Sequence, residues 1–189
     1  MTALSDQLLN EARQRGLTDV AVLTPALAFE LVREMPYLRA SDRQPETTIR
    51  EWRGTCSGKH YLLKAVLEEL GVKSTLIACT TYVGADPDTL PEAIAEVLRE
   101  GPVPDVHNYL RLPRIVDATW PLEAEAYGLP VNRAWFEEGD MLLPCTPITE
   151  FEVPADVDAQ QFKNDLLEEH FTPEELGRRD RFFGLLAGE

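Results

Sequence analysis

A chain of 189 residues with 44% hydrophobic and 27% charged content suits one globular domain, long enough to bury a single core. Its 33 acidic against 18 basic residues leave a formal charge of −15, which repels phosphate backbones and anionic lipid surfaces and argues against nucleic acid or membrane as partners. No window reaches the roughly 18 consecutive apolar residues of a spanning helix. The opening Met1 to Asp6 lacks a basic-then-apolar leader, and an odd set of cysteines (Cys56, Cys79, Cys145) builds no disulfide framework, so a cytoplasmic setting is expected.

In chain order, Ser5 reads as the cap of a helix running to Arg15, with Gly16 past its end, and Thr24-Pro25 opens a second helix ending before Pro36. On that second helix Leu27, Leu31 and Met35 recur at four-residue spacing beside Ala28 and Val32, so one face is buried. The polar stretch 37–47 reads as a loop, followed by a short helical turn from Thr48 to Trp52. Cys56 to Leu70 is the strongest helix, with Leu62, Leu63, Val66, Leu67 and Leu70 on a wide apolar face and Gly71 at its stop. Lys73 to Val83 is rich in β-branched residues and reads as a strand, 84–88 as a turn, and Thr89 with Glu92 as a capping box for a helix over Pro91 to Arg99.

Two short strands at about 106–112 and 114–119 form a hairpin around Pro113; another strand lies around Pro147 to Val153, and Thr172 to Glu175 caps a final helix to about Leu186. Hairpin parity carries a condition. A three-residue loop, Leu112 to Arg114, sets His107 opposite Thr119 and puts Asp117 on the same face, whereas a two-residue loop separates them.

Cys56, His107 and Asp117 are the candidate catalytic residues. A thiol at a helix N-terminus meets the positive end of the helix dipole and unpaired amides, which stabilise the reactive thiolate. A histidine beside it exchanges the proton, and an aspartate on the far ring nitrogen fixes the tautomer. The backbone N–H of Cys56 is the nearest oxyanion donor, and the Trp52 indole is a second. His60, one turn after Cys56, competes with His107 as the partner or serves as a structural residue beneath the thiol. Cys56, His60 and His107 also make a zinc alternative, but no Cys-x-x-Cys or second paired histidine completes a ligand set, so no metal is expected. Lys59 and the run Arg178-Arg179-Asp180-Arg181 read as solvated charge, Cys79 as a core thiol, Cys145 as a loop thiol, His170 as a cap or exposed residue, and Trp120, Trp135 and Arg114 as pocket or packing residues.

Gly54 to Ser74, with its Gly-x-Cys opening a helix that ends in a Leu-Gly-Val turn, resembles the nucleophile helix of the transglutaminase-like superfamily. His107 with its aromatic-bearing strand, then Val116-Asp117-Ala118-Thr119-Trp120, is similar to that superfamily's His strand and Asp-Pro-Thr strand, and Phe29 to Tyr37 to its lead-in helix. The likeness covers about residues 20–120. Ala118 stands where proline is usual, Ser57-Gly58 replaces a bulky aromatic after the cysteine, and 84–105 inserts a helix before the His strand. The resemblance implies an α+β, papain-like fold: N-terminal helices and a buried nucleophile helix packed on an antiparallel sheet, in one domain over 1–189 with a core of about 20–120 and an extension of about 121–189. It assigns nucleophile to Cys56, base to His107 and orienting acid to Asp117. The expected activity is that of a cysteine-dependent hydrolase or acyltransferase on an amide or ester carbonyl of a peptide, protein or small molecule, with no cofactor. The alternative is a non-catalytic binding module for a peptide or protein.

Overall fold

The computed structural model describes residues 2–135 and 139–187. The protein is mixed α+β with a four-stranded antiparallel sheet in the order β3-β2-β1-β4. By backbone contacts it divides into two compact units, Met1–Leu76 with Asn108–Pro144 and Ile77–His107 with Cys145–Glu189. The division falls within β1 (Thr75–Tyr82) and within β2 (Pro104–Arg111).

The first unit is built around α4 (Cys56–Glu69), which packs against α1 (Leu4–Gln14), α2 (Pro25–Glu34) and α3 (Pro45–Glu51). Leu62, Leu63, Val66 and Leu67 of α4 are fully buried, as are Ala28, Phe29, Val32 and Met35 of the α2 segment. Thr24 caps α2 as expected, its hydroxyl accepting from the Leu27 N–H, and Pro25 takes the first helical position. Trp52 closes α3 in the left-handed region, φ 51°, and Gly71 at φ 79° follows α4.

Other ends depart from local sequence logic. Ser5 does not cap α1; the N–H groups of Leu4 and Ser5 donate instead to the two carboxylate oxygens of Glu69, at 2.9 and 2.8 Å. Burial pushes the Glu69 pKa up, but the backbone N–H groups of Ser5 and Leu4 outweigh it and hold the carboxyl below its ordinary value. Helix α3 starts at Pro45 rather than Thr48, since proline's fixed φ favours the first helical position.

In the second unit β1 pairs antiparallel with β4 (Thr149–Glu152), Cys79 opposite Glu150. Helix α5 (Glu92–Glu100) packs on α7 (Pro173–Ala187) through Ile94, Val97, Val103 and Phe182. The Thr89–Glu92 capping box does not form: Pro91 is the N-cap of α5, and Asp86 organises a short 3-10 turn at Pro87–Thr89 by accepting from the Asp88 N–H. The Thr172–Glu175 box does form, with reciprocal bonds of 3.3 and 2.9 Å. Helix α6 (Ala159–His170), capped by Asp158 accepting from the Gln161 N–H, has no counterpart in the sequence reading.

The basic run at 178–181 is only partly solvated. Arg179 pairs with Asp105 at 2.8 Å, Lys163 of α6 approaches the same carboxylate at 3.6 Å, and Arg178 is buried. Burial pushes Asp105 up, yet Lys163 and Arg179 together hold its carboxyl below the usual range. Among the described residues no helix is long and apolar enough to cross a membrane.

Candidate active site

Cys56 is the first residue of α4, after an extended Thr55 whose side chain makes no cap, and no acidic residue stands in the first turn. The amide mouth of the helix therefore opens at the thiol residue, whose side chain is 2% exposed. The glycines beside it sit in close quarters. A Cβ at Gly54 would meet Lys59 and Thr48 atoms at 3.3 Å, and one at Gly58 would meet the Thr48 hydroxyl at 3.2 Å. The Ser57 hydroxyl lies 4.0 Å from the Cys56 sulfur and donates to Asn108 Oδ1 at 2.9 Å, binding the start of α4 to β2.

His60 is fully buried, with Nδ1 2.8 Å from the Cys56 carbonyl oxygen and Nε2 3.0 Å from the Ala118 backbone nitrogen. An amide N–H can only donate, so Nε2 accepts and the ring proton sits on Nδ1, donated to the Cys56 carbonyl. Both ring nitrogens are thereby committed to backbone groups. The ring ties the α4 start to the segment after β3 (Ile115–Val116), and zinc ligation or proton transfer would have to break one of these bonds.

Lys59, expected to be solvated, is fully buried, and its Nζ donates to the Arg33 and Thr119 carbonyls at 2.9 Å each. Burial lowers its pKa to about 7, with Asp117, Glu34 and Cys56 opposing the fall and Arg33 adding to it. A lysine on the inward face of an apolar helix had no local signal in the sequence to mark it.

Asp117 is 2% exposed; its Oδ1 accepts from the Thr119 N–H at 2.9 Å, and its carbonyl accepts from Asn132 Nδ2 at 3.0 Å. Asn132 also donates to the Leu142 carbonyl and accepts from the Leu142 N–H, both at 2.9 Å. That buried amide locks the Asp117 segment to a distant loop, and sequence reasoning passed it over.

His107 lies in β2 and is 5% exposed. β2 and β3 pair Leu110 with Val116 and Arg111 with Ile115, leaving the three-residue link Leu112–Arg114, closed by a 2.8 Å bond from the Leu112 N–H to the Arg114 carbonyl. In this register Tyr109 and Asp117 have the same parity, and His107 shares Tyr109's face of β2 by strand alternation.

Of the remaining candidates, Trp52 is buried with the Arg15 guanidinium 5.2 Å from its ring centroid. Trp120 packs on Tyr37, centroids 4.3 Å apart, and its indole N–H is buried with no hydrogen-bond partner among the described residues. Trp135 is a packing residue, edge-on to Phe29 at 5.9 Å and beneath Arg114 at 4.6 Å. An open cleft lined by Glu68, Lys73, Ser74 and Arg111 lies at the other end of α4 from Cys56. No family model, no curated protein and no solved structure matches the chain.

Proposed function

We propose that the chain is a cysteine-dependent hydrolase or acyltransferase with a papain-like core of the transglutaminase-like kind, cytoplasmic and acting on an amide or ester carbonyl. The Cys56 thiolate attacks the carbonyl carbon, and the Cys56 N–H stabilises the oxyanion. His107, holding the thiol's proton, passes it to the departing amine or alcohol. Water or an amine then attacks the thioester, giving its proton to His107 and releasing Cys56, while Asp117 orients the imidazole. The carrying observation is the hairpin register: the three-residue link gives His107 and Asp117 the parity a shared face requires. The commitment of both His60 nitrogens to backbone adds support by leaving His107 as the histidine for the role.

Exposure makes the test sharp. Cys145 is the more exposed thiol and Cys56 and Cys79 are buried, so simple accessibility ranks Cys145 first. Under limiting iodoacetamide near neutral pH, an activated Cys56 is alkylated roughly tenfold faster than Cys145. With p-nitrophenyl acetate, Cys56 acquires an acetyl group seen by intact mass, Cys56→Ser abolishes it, and His107→Gln slows it about a hundredfold or more. Labelling that follows exposure, with no acetyl adduct on folded protein, overturns the proposal.

A second reading has one observation in its favour. Cys56, His107 and Asp117 are at most 5% exposed, which suits a binding module that keeps these residues as structure. The charge of −15 then selects a basic peptide or protein. Acetylation at Cys56 rules this reading out.

A further inference from the structure

Outside the Cys56 region the second unit holds another pair of thiols, 66 positions apart in sequence and 4.0 Å apart between sulfur atoms: Cys79 and Cys145. Their surroundings differ in a useful way. Cys79 is fully buried in the middle of β1, held by its pairing with β4 opposite Glu150. Cys145 is partly exposed in the segment leading into β4, next to exposed Thr146 and three residues from Ile148 at 58% exposure. That segment is fastened to β1 just beyond Cys145. The Thr81 hydroxyl donates to the Thr146 carbonyl at 2.9 Å, and the Ile148 N–H donates to the Thr80 carbonyl at 2.8 Å. Thr81 shares Cys79's face of the strand by alternation, so the same face of β1 that carries the buried sulfur carries the tether. The sulfurs are therefore held as neighbours by the strand pairing and this tether. Closing 4.0 Å to the roughly 2 Å of a disulfide is within reach of side-chain rotation at Cys145, which stands on loop rather than strand.

We propose that Cys79 and Cys145 are a reversible disulfide pair, with Cys145 the entry thiol and Cys79 the resolving thiol, oxidised by a low-molecular-weight disulfide. The Cys145 thiolate attacks one sulfur of the small disulfide, forming a mixed disulfide and releasing one small thiol. The Cys79 thiolate then attacks the Cys145 sulfur, forming the internal bond and expelling the second small thiol. Two protein thiols lose two electrons and two protons, and the small disulfide gains both, leaving two small thiols. The product joins β1 covalently to the approach to β4, a link independent of the chemistry proposed for Cys56.

The test uses full-length protein carrying Cys56→Ser, so that only this pair can react, incubated with oxidised glutathione at mildly alkaline pH. The expected product is a monomer lighter by about 2 Da, the two thiol hydrogens, restored by dithiothreitol and yielding a Cys79–Cys145 linked peptide in a non-reducing digest. Adding Cys79→Ser leaves a stable glutathione adduct on Cys145, and adding Cys145→Ser instead leaves Cys79 unmodified in the folded protein. An unchanged mass, a persistent adduct where both thiols are present, or an intermolecular dimer overturns the proposal. So does Cys79 reacting as fast alone as with Cys145 present. Circular dichroism of each variant confirms that the fold is retained, and both substitutions replace sulfur by a smaller oxygen without altering the backbone.

Discussion

Replacing Lys59 by methionine should remove a distinct pH dependence from the stability of the first unit. The ammonium is fully buried against two carbonyls, and its pKa falls from an ordinary 10.5 to about 7, chiefly through burial. Below pH 7 the lysine is charged in both states, and the folded protein carries the whole cost of burying it. Between pH 7 and 10.5 the unfolded chain holds a proton that the folded protein has released, so stability rises with pH. At about 1.4 kcal/mol per pH unit over the part of the range where only the unfolded chain holds the proton, going from pH 6 to pH 9 gains the wild type about 2–3 kcal/mol from this group. Lys59→Met has no such gain, and it also leaves the Arg33 and Thr119 carbonyls without their donor, a pH-independent loss of about 1–3 kcal/mol for each. The gap between wild type and variant should therefore widen by about 2–3 kcal/mol across that range, on the order of 1 M in urea midpoint. Urea unfolding followed by tryptophan fluorescence is the assay, since Trp52, Trp120 and Trp135 all belong to the unit that holds Lys59. Two curves that run parallel within about 0.5 kcal/mol from pH 6 to pH 9 would refute a lysine that folds neutral above pH 7.

Two further outcomes test other parts of the fold. His60→Ala strands the Ala118 N–H and opens a cavity beside Cys56, costing about 2–4 kcal/mol in the same urea assay; nitrogen NMR of the wild-type ring should show the proton on Nδ1, and a proton on Nε2 would contradict the hydrogen-bond pattern. In the second unit, Asp105→Asn removes the charge facing Arg179 and Lys163 and should cost about 3 kcal/mol at pH 7. Because the Asp105 carboxyl is held low, its contribution is present above its unfolded value near pH 4 and disappears as pH falls through the folded value. The wild-type advantage over Asp105→Asn should accordingly shrink toward pH 3, measured by urea midpoint with circular dichroism.

What was legible in the sequence had its partner nearby. Thr24 capping Leu27 and Thr172 with Glu175 are bonds across three residues, and the hairpin around Pro113 was readable, while the choice between a two- and a three-residue link came only with the strand register. What was hidden depends on partners far along the chain. Glu69 serves α1 from 65 positions away, and Lys59 reaches the Thr119 carbonyl across 60. The Thr89–Glu92 box was locally plausible, but the Thr89 N–H and hydroxyl both donate to the Asp86 carbonyl and the Glu92 carboxylate accepts from Arg99, which leaves Pro91 as the N-cap. Helix α6 carried a usable signal in Asp158 three residues before Gln161, but only Lys163, Leu166 and Leu167 are buried along it, so its apolar pattern is faint. At the candidate site, Cys56 at a helix start was readable from its glycines and the apolar run behind it. The work of His60 was not, because a histidine's ring partners are set by tertiary structure.

The bonds at the two ends of α4 fix how the helix can evolve. His60 and Glu69 stand nine positions apart, which at about 100° per residue points them to opposite sides of the helix axis. One side is fastened to the Ala118 segment and the other to the first turn of α1. A single inserted or deleted residue between them turns one fastening away by about 100° and shifts it by about 1.5 Å, so neither α1 nor the Asp117 segment can follow while the other stays in place. Substitutions on the solvent side of this stretch are accommodated one at a time, but its length is a fixed dimension of the protein, as a spindle held in two bearings must keep its phase.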